Sequence, residues 1–168
     1  MDENDLKNII ESLIDTFLIA GDLSIQLRNE GLQKEIKSDN TPVSNGDIEV
    51  NKILTKKILK LTPDIPIVSE ETSHNKSKDD LKDFWLIDPI DGTYDYINNK
   101  EEFTLNAGLI LNRKAVAGLI NVPAKNRMFY SYGKNNSFEF TRNKKTKLDC
   151  KKLSPLNSVK VVSYSDKL

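Results

Sequence analysis

Residues 84–93 read FWLIDPIDGT, and this stretch decides the architecture around it. The large apolar residues that open it are typical of a buried β-strand. Pro89 lacks a backbone N–H, so we expect it to close the strand and to keep Asp88 extended at the strand end. Gly92 permits a tight turn, which places Asp91 within that turn and close to Asp88.

Two neighbouring carboxylates in this stretch indicate a cation site. Asp88 and Asp91 would repel each other and raise each other's pKa unless a cation lay between them. Ligands that are all oxygen favour Mg²⁺, Mn²⁺ or Ca²⁺ over zinc. The softer ligands, His74 and Cys150, lie far apart in sequence, and we expect an exposed His74 and an inert Cys150. The alternative is an aspartate-rich surface turn, which the preceding buried strand disfavours.

Two helices and a short strand are predicted before this stretch. Apolar residues in the range 6–25 recur at helical spacing and predict a helix that packs on the core. A second helix follows Asp47, which stands where an N-cap would, and its predicted buried side comprises Ile48, Asn51, Leu54, Ile58 and Leu61. Residues 65–70 predict a short strand that ends in Glu70. Trp85, in the strand that comes next, is assigned to the core.

Beyond residue 100 the pattern changes to an alternation with a period of two, which predicts β-strands at hairpin spacing. The predicted strands cover residues 103–111, 115–121, 127–132, 137–141 and 159–163. The lysine-rich residues 142–152 predict a solvated hairpin. The fold class is therefore α+β, with two N-terminal helices packed on a mostly antiparallel sheet in a single domain, residues 1–168. Two helices cover one face of such a sheet, so we expect a homo-oligomer or further chain to cover the other.

Further residues are candidates for chemistry near the cation site. Neighbouring side chains of a strand point to opposite faces, so only one of Glu70 and Glu71 can face a given metal. A Glu-Glu pair at a strand end is otherwise a solvated feature. Asp47, if buried, could accept the hydroxyl proton of Thr93 and orient that oxygen toward a nucleophilic water. Gly92 and Thr93 could turn backbone N–H groups toward an anion if a helical turn starts there.

Composition bounds the class of protein. The chain carries 25 basic and 25 acidic residues, so its net charge gives no general attraction to nucleic acid or anionic membranes. An anionic ligand must therefore be held by a local device. No apolar run approaches the roughly 20 residues of a membrane span, and the first residues are acidic where a signal peptide would be basic. With a single cysteine, a reducing compartment is the default, and we expect a cytoplasmic location.

Three motifs occur in order along the chain: SDNTPVS at 38–44 leading to Asp47, VSEE at 68–71, and WLIDPIDGT at 85–93. This set resembles the inositol monophosphatase superfamily, whose hallmark is a D-P-[IL]-D-G-T loop after a G/S-E-E strand. Within that superfamily, LTPDIP at 61–66 and EFTLN at 102–106 resemble the bacterial 3'(2'),5'-bisphosphate nucleotidase branch. The resemblance covers nearly the whole chain and implies the N-terminal half of a layered αβαβα fold.

The resemblance also implies roles for the candidate residues. Glu70, Asp88 and the carbonyl of Ile90 would be ligands of a first Mg²⁺ ion, and Asp88 with Asp91 would bind a second. Asp47 with Thr93, or Glu70 through a water on the metal, would activate the nucleophile. The substrate phosphate would be held at Asp91, Gly92, Thr93 and Tyr94.

The implied function is a Mg²⁺-dependent phosphomonoesterase that removes the 3'-phosphate of adenosine 3',5'-bisphosphate. Inositol phosphates and sugar phosphates are the alternative substrates, partly because residues 94–96 read YDY where the nucleotidases usually carry Lys-Glu-Phe. The family's C-terminal α/β half, with a Trp-Asp motif that completes the second metal site, has no counterpart in this sequence. A catalytically silent fragment that binds metal or anions is therefore the third hypothesis.

Overall fold

The computed structural model describes residues 1–36, 42–71, 81–141 and 144–149. In these ranges the chain forms three α-helices, one short 3-10 helix (Pro123–Lys125), a two-stranded ribbon and a seven-stranded sheet, so the predicted α+β class is confirmed. The helices are α1 (Glu3–Glu30), α2 (Asn45–Leu61) and α3 (Thr93–Ile97). The strands are β1 (Lys34–Ile36), β2 (Pro42–Ser44), β3 (Ile67–Ser69), β4 (Phe84–Asp91), β5 (Thr104–Leu111), β6 (Lys114–Val122), β7 (Arg127–Tyr132), β8 (Ser137–Thr141) and β9 (Lys144–Lys147).

The large sheet is mostly antiparallel, as predicted. Its strands lie in the order β3-β4-β5-β6-β7-β8-β9, and each pair is antiparallel except β3 with β4, which run parallel. In the predicted solvated hairpin, β9 pairs with β8 and its four residues are exposed. The strand expected at 159–163, together with His74 and Cys150, lies outside the described residues. None of the helices in the described ranges combines the length and apolar character that a bilayer crossing demands.

Helix α1 extends beyond the predicted range at both ends, and a capping box accounts for its early start. The Asp2 side chain accepts the Asp5 N–H at 2.9 Å, and the Asp5 side chain accepts the Asp2 N–H at 2.9 Å. The helix buries one apolar stripe, comprising Leu6, Ile10, Leu13, Phe17 and Ala20. Asn121 of β6 donates to the carbonyl of Phe17 at 2.8 Å, which ties the helix to the sheet.

The core lies between the two long helices and one face of the sheet. Trp85 and Ile87 of β4 point into it, and Trp85 donates through Nε1 to the hydroxyl of Thr62 at 3.0 Å. The core assignment of Trp85 is therefore confirmed, and its one polar atom has a partner.

Helix α2 begins earlier than expected, and the N-cap assignment of Asp47 is wrong. Ser44 is the N-cap, and Asp47 is the third helical residue, which completes a capping box with Ser44. The helix starts here because Ser44 supplies the capping oxygen directly after strand β2. Ile48 is exposed and not part of the core face, because the buried positions are Asp47, Val50, Asn51, Leu54 and Ile58.

The sequence predicts that strand β4 closes at Pro89, and this prediction is wrong. The strand continues to Asp91, with a register shift against β5 between Asp88 and Asp91. Proline is tolerated at such an irregularity because the ladder does not require its missing N–H there. The turn therefore begins at Gly92 and not at Asp91. Strand β3 likewise begins at Ile67 and not at residue 65.

The opposite face of the sheet carries no helix in the described part of the chain. Leu86 and Ile120 are each 46% exposed on it, and with Gly108, Gly118 and Phe129 they line a groove of about 700 Å³. Association of two copies through this face stays a prediction, as does the assignment of residues 1–168 to a single domain.

Candidate functional site

The candidate residues converge where strands β3 and β4 end. The two strands are parallel neighbours with Ser69 opposite Ile87, so Glu70 and Asp88 follow side by side. The backbone N–H of Glu70 donates to the carbonyl of Ile87 at 3.1 Å, which holds the two strand ends together.

Asp88 lies at the centre of the acidic group. Its Oδ1 is buried and has no hydrogen-bond partner among the described residues. Burial, followed by the charges of Glu70 and Asp91, raises the pKa of Asp88 to about 7. A hydrogen bond between the Asp88 and Glu70 side chains, which favours the protonated form, acts in the same direction. The structure thus brings together the three carboxylates that the sequence singles out.

This arrangement fits a hard divalent cation. A buried carboxylate oxygen without a partner, beside two further carboxylates, is stabilised when a cation replaces the shared proton. Within the described ranges, no group of three or more Asp, Glu, His or Cys side chains lies close enough together to hold a metal ion by itself. The looser grouping suits Mg²⁺, which binds proteins through one or two carboxylates and keeps several waters.

The pH dependence of the metal-free protein follows from the Asp88 pKa. A folded value of about 7 lies above the roughly 3.9 of an unfolded aspartate, so the folded state binds the extra proton between these values. The contribution of Asp88 to the free energy of unfolding is therefore lost as the pH rises from about 4 to about 7. Mg²⁺ competes with that proton, so we expect its affinity to increase across the same upper range.

Thermal unfolding and calorimetric titration with Mg²⁺ between pH 5.5 and 8 check this prediction. The control is Asp88→Asn, in which the pH-dependent difference in melting temperature should be absent. Equal slopes of melting temperature against pH in the parent and the variant would contradict it.

Asp47 and Thr93 form the second part of the site. Asp47 is buried at the start of α2 and accepts the Ser44 N–H at 2.8 Å and the Ser44 hydroxyl at 2.6 Å. The Thr93 hydroxyl lies 3.1 Å from Asp47 Oδ1 and 2.9 Å from the carbonyl oxygen of Ile90, and can donate its proton to either. Burial raises the pKa of Asp47, and the hydrogen bonds from Ser44 and Thr93 oppose that shift. The contact expected between Asp47 and Thr93 is therefore present.

Helix α3 begins directly after the last carboxylate. Gly92 is its N-cap with φ 90°, and no side chain in the described residues caps this helix start by a hydrogen bond. Only Gly92 separates Asp91, the last residue of β4, from the first turn of α3. A helical turn therefore starts where the sequence analysis requires it for an anion to be held by backbone amides.

Gly92→Ala should destabilise the protein strongly. Alanine at this position would have to adopt a left-handed φ, and its Cβ would lie 2.7 Å from the carbonyl oxygen of Glu102. We expect a loss of about 3 kcal/mol in the free energy of unfolding. Gly31→Ala is the matched control, because φ there is 102° but nothing lies within 4 Å, and it should cost about 1 kcal/mol. Denaturant unfolding measures both, and equal losses would contradict the steric argument.

Tyr94 and Ile90 occupy contrasting positions beside the site. Tyr94 is 65% exposed on α3, and the Lys100 ammonium lies 5.6 Å from its ring centroid. Ile90 has a buried side chain, and its carbonyl oxygen, which has two lone pairs, is within reach of the Thr93 hydroxyl. The substrate role of Tyr94 and the metal role of the Ile90 carbonyl stay predictions.

Asn106 is a site residue for which the sequence analysis gave no role. Its Nδ2 donates to Asp91 Oδ2 at 3.0 Å, and it lies opposite Asp88 in the β4–β5 ladder. The signal was present in the period-two pattern, which places Asn106 on the other face from Leu105 and Ala107. Its partner could not be identified from sequence because the pairing depends on the register of two strands.

Comparison with known proteins agrees with this fold. The profile of the inositol monophosphatase family matches residues 5–167, and the chain belongs to that family. The 3'(2'),5'-bisphosphate nucleotidase CysQ of Haemophilus influenzae is 35% identical over 108 residues, which make up 63% of this chain and 40% of that protein. The CysQ of Aggregatibacter actinomycetemcomitans is 32% identical over 126 residues, 74% of this chain and 47% of that protein. The chain thus spans less than half the length of these curated relatives.

Solved structures show the same fold. An IMPase from Thermotoga maritima has a TM-score of 0.68 at 24% identity, over 77% of this chain and 50% of the other. CysQ from Bacteroides thetaiotaomicron, a bacterial member of the inositol monophosphatase family, has a TM-score of 0.58 at 24% identity, over 81% and 49%. The predicted similarity to the inositol monophosphatase fold is therefore confirmed.

Proposed function

We propose that this chain carries the metal and nucleophile sites of a Mg²⁺-dependent phosphomonoesterase that removes the 3'-phosphate of adenosine 3',5'-bisphosphate. The observation that supports it most directly is the Thr93 hydroxyl. It lies 3.1 Å from the buried Asp47 carboxylate and directly follows the Asp88–Asp91 segment. The curated relatives named as bisphosphate nucleotidases support the choice of substrate.

Four groups of the chain would hold the metal. They are the carboxylates of Glu70, Asp88 and Asp91 and the carbonyl oxygen of Ile90. Mg²⁺ bound there would act as a Lewis acid that polarises the phosphoryl group and stabilises the charge that develops on its oxygens. Asn106 donates to Asp91 and so fixes the direction in which that carboxylate points.

The remaining chemistry belongs to the residues of α2 and α3. When Asp47 accepts the Thr93 hydroxyl proton, a lone pair of that hydroxyl is left to accept a hydrogen bond from the attacking water. The N–H groups that open α3 orient the phosphate. The water oxygen then bonds to phosphorus as the bond to the ribose 3' oxygen breaks. One proton of the water ends on the 3' oxygen and restores the 3'-hydroxyl, and the other leaves with the product as hydrogen phosphate. Asp47 is buried, and with the Ile90 carbonyl it is one of two acceptors toward which the Thr93 hydroxyl can direct its proton.

An inositol phosphate or a sugar phosphate is the second candidate substrate. It is favoured by Tyr94, an exposed aromatic side chain at the position where the nucleotidases that the sequence resembles usually carry a lysine. A neutral ring in place of a cation lowers the positive charge available to a second phosphate. Lys100 lies 5.6 Å from the Tyr94 ring centroid, but its ion pair with Asp95 at 2.8 Å offsets its charge.

Phosphate release from three substrates tests the proposal. Adenosine 3',5'-bisphosphate, inositol 1-phosphate and adenosine 5'-monophosphate are compared with and without Mg²⁺. We expect release from the bisphosphate in the presence of Mg²⁺, and none from the 5'-monophosphate, which lacks the 3' group. Much faster cleavage of inositol 1-phosphate would establish the second candidate. Mg²⁺ binding by calorimetry without any release would establish the silent metal-binding fragment.

A further inference from the structure

A buried hydrogen bond joins helix α2 to the end of strand β3. The Ser69 hydroxyl donates to Asn51 Oδ1 at 2.7 Å, and the two residues are 0% and 6% exposed. Neither has a role in the site described above. Polar groups buried on an otherwise apolar helix face carry a desolvation cost, which a hydrogen bond offsets only when both partners are held in place. The pair therefore fixes the distance between these two elements.

The same hydroxyl organises the backbone around Glu70. Ser69 Oγ accepts the N–H of Glu71 in a long contact of 3.4 Å, which bends the chain around the residue between them. The N–H of Glu70 is held by Ile87 at 3.1 Å. Strand β3 has three residues and lies at one end of the described sheet, so its ladder supplies few bonds to place Glu70. Ser69, through its hydrogen bond to Asn51 of α2, adds a further restraint on the position of Glu70.

Helix α2 contacts both halves of the candidate site from successive turns. Asp47 and Asn51 are four residues apart, so their side chains lie on one face of the helix. Asp47 accepts a hydrogen bond from the Thr93 hydroxyl, and Asn51 accepts one from the Ser69 hydroxyl. One rigid element thus locates the residue that precedes Glu70 and the residue that begins α3.

We propose that Asn51 and Ser69 are a positioning pair that sets Glu70 relative to Asp88 and so determines the affinity for Mg²⁺. The inference rests on the metal site of the proposed function and adds two residues to it. Side chains that orient metal ligands without touching the metal typically change affinity by about 10–100-fold when removed.

The first test is calorimetric titration of Ser69→Ala and Asn51→Ala with Mg²⁺. Each should weaken binding at least tenfold, and the double variant should weaken it no further, because both changes remove the same link. Ser24→Ala and Asn121→Ala are matched controls. They are equally buried and lose bonds of similar length, to the Gly21 and Phe17 carbonyls. The controls should keep the parental affinity within about twofold even where they lower the melting temperature.

The second test needs no metal. Amide hydrogen exchange at Glu70 and Glu71 should be at least tenfold faster in Ser69→Ala and Asn51→Ala than in the parent, and unchanged in the controls. Parental exchange rates in Ser69→Ala overturn the inference whether or not the parent binds Mg²⁺. Faster exchange with undiminished Mg²⁺ affinity also overturns it, because the pair would then order the backbone without affecting the metal. A parent that binds no Mg²⁺ removes the proposed metal site itself.

Discussion

Asp88→Asn should abolish Mg²⁺-dependent phosphate release while leaving the fold intact. The change keeps the size of the side chain but removes the charge that faces both Glu70 and Asp91. Loss of one preorganised electrostatic group typically costs about 10²–10³ in kcat, and we expect at least that here because Asp88 would contact both metal ions. The metal-free variant should melt at or above the parental temperature at pH 8, because repulsion among the carboxylates is relieved.

Phosphate release, calorimetry with Mg²⁺ and thermal unfolding measure these effects. Asp83→Asn is the control, since Asp83 is exposed, directly precedes strand β4 and accepts the Asn112 N–H at 2.6 Å. It should retain full activity. An Asp88→Asn variant with near-parental turnover would contradict the role assigned to that carboxylate.

Asp47→Asn should reduce turnover by about 10²–10⁴-fold with little change in Mg²⁺ affinity. Such losses are typical when a group that directs a proton is removed. The amide oxygen can stand in for Oδ2 and keep both bonds from Ser44, now at 2.8 and 2.6 Å, but the NH₂ then stands where Oδ1 accepts from Thr93 and directs a donor at that hydroxyl. The direction of the Thr93 hydroxyl would therefore be lost. Weakening of the capping box adds a stability cost of about 1 kcal/mol.

The control for Asp47→Asn is another helix start in the same chain. Asp5 is the third residue of α1 and forms a capping box with Asp2, as Asp47 does with Ser44. Asp5→Asn should cost similar stability without loss of kcat. Steady-state kinetics at saturating Mg²⁺ separates the two variants, and equal losses of activity would mean that only helix stability is affected.

The sequence predicted the acidic group well because its members are local to recognisable strand ends. Glu70 directly follows one strand, and Asp88 and Asp91 lie in the second half of the next, so they come close once those two strands are parallel neighbours. The alternation after residue 100 likewise predicted strands β5 to β8 within one or two residues. Period-two patterns are reliable where one face of a sheet is buried, as it is here.

The errors arose where tertiary context selected between local alternatives. Asp47 is a good N-cap by residue type, but Ser44 starts the helix because the chain leaves β2 at that point. Pro89 normally ends a strand, yet the register shift accommodates it. Asn51 and Ser69 are 18 residues apart, and nothing in their local spacing indicates that they meet.

Helix α2 contacts both the last residue of β3, directly before Glu70, and the start of α3, so a displacement of the helix disturbs both parts of the site at once. A shift of about 1 Å in α2 would displace the cation ligand and the nucleophile-directing hydroxyl together, and misplacement on that scale can cost about 10²-fold in rate. Substitutions of Leu54 or Ile58, which pack α2 on the core, would thus lower turnover although neither residue contacts the site. On warming, metal binding and turnover should therefore be lost at the same temperature.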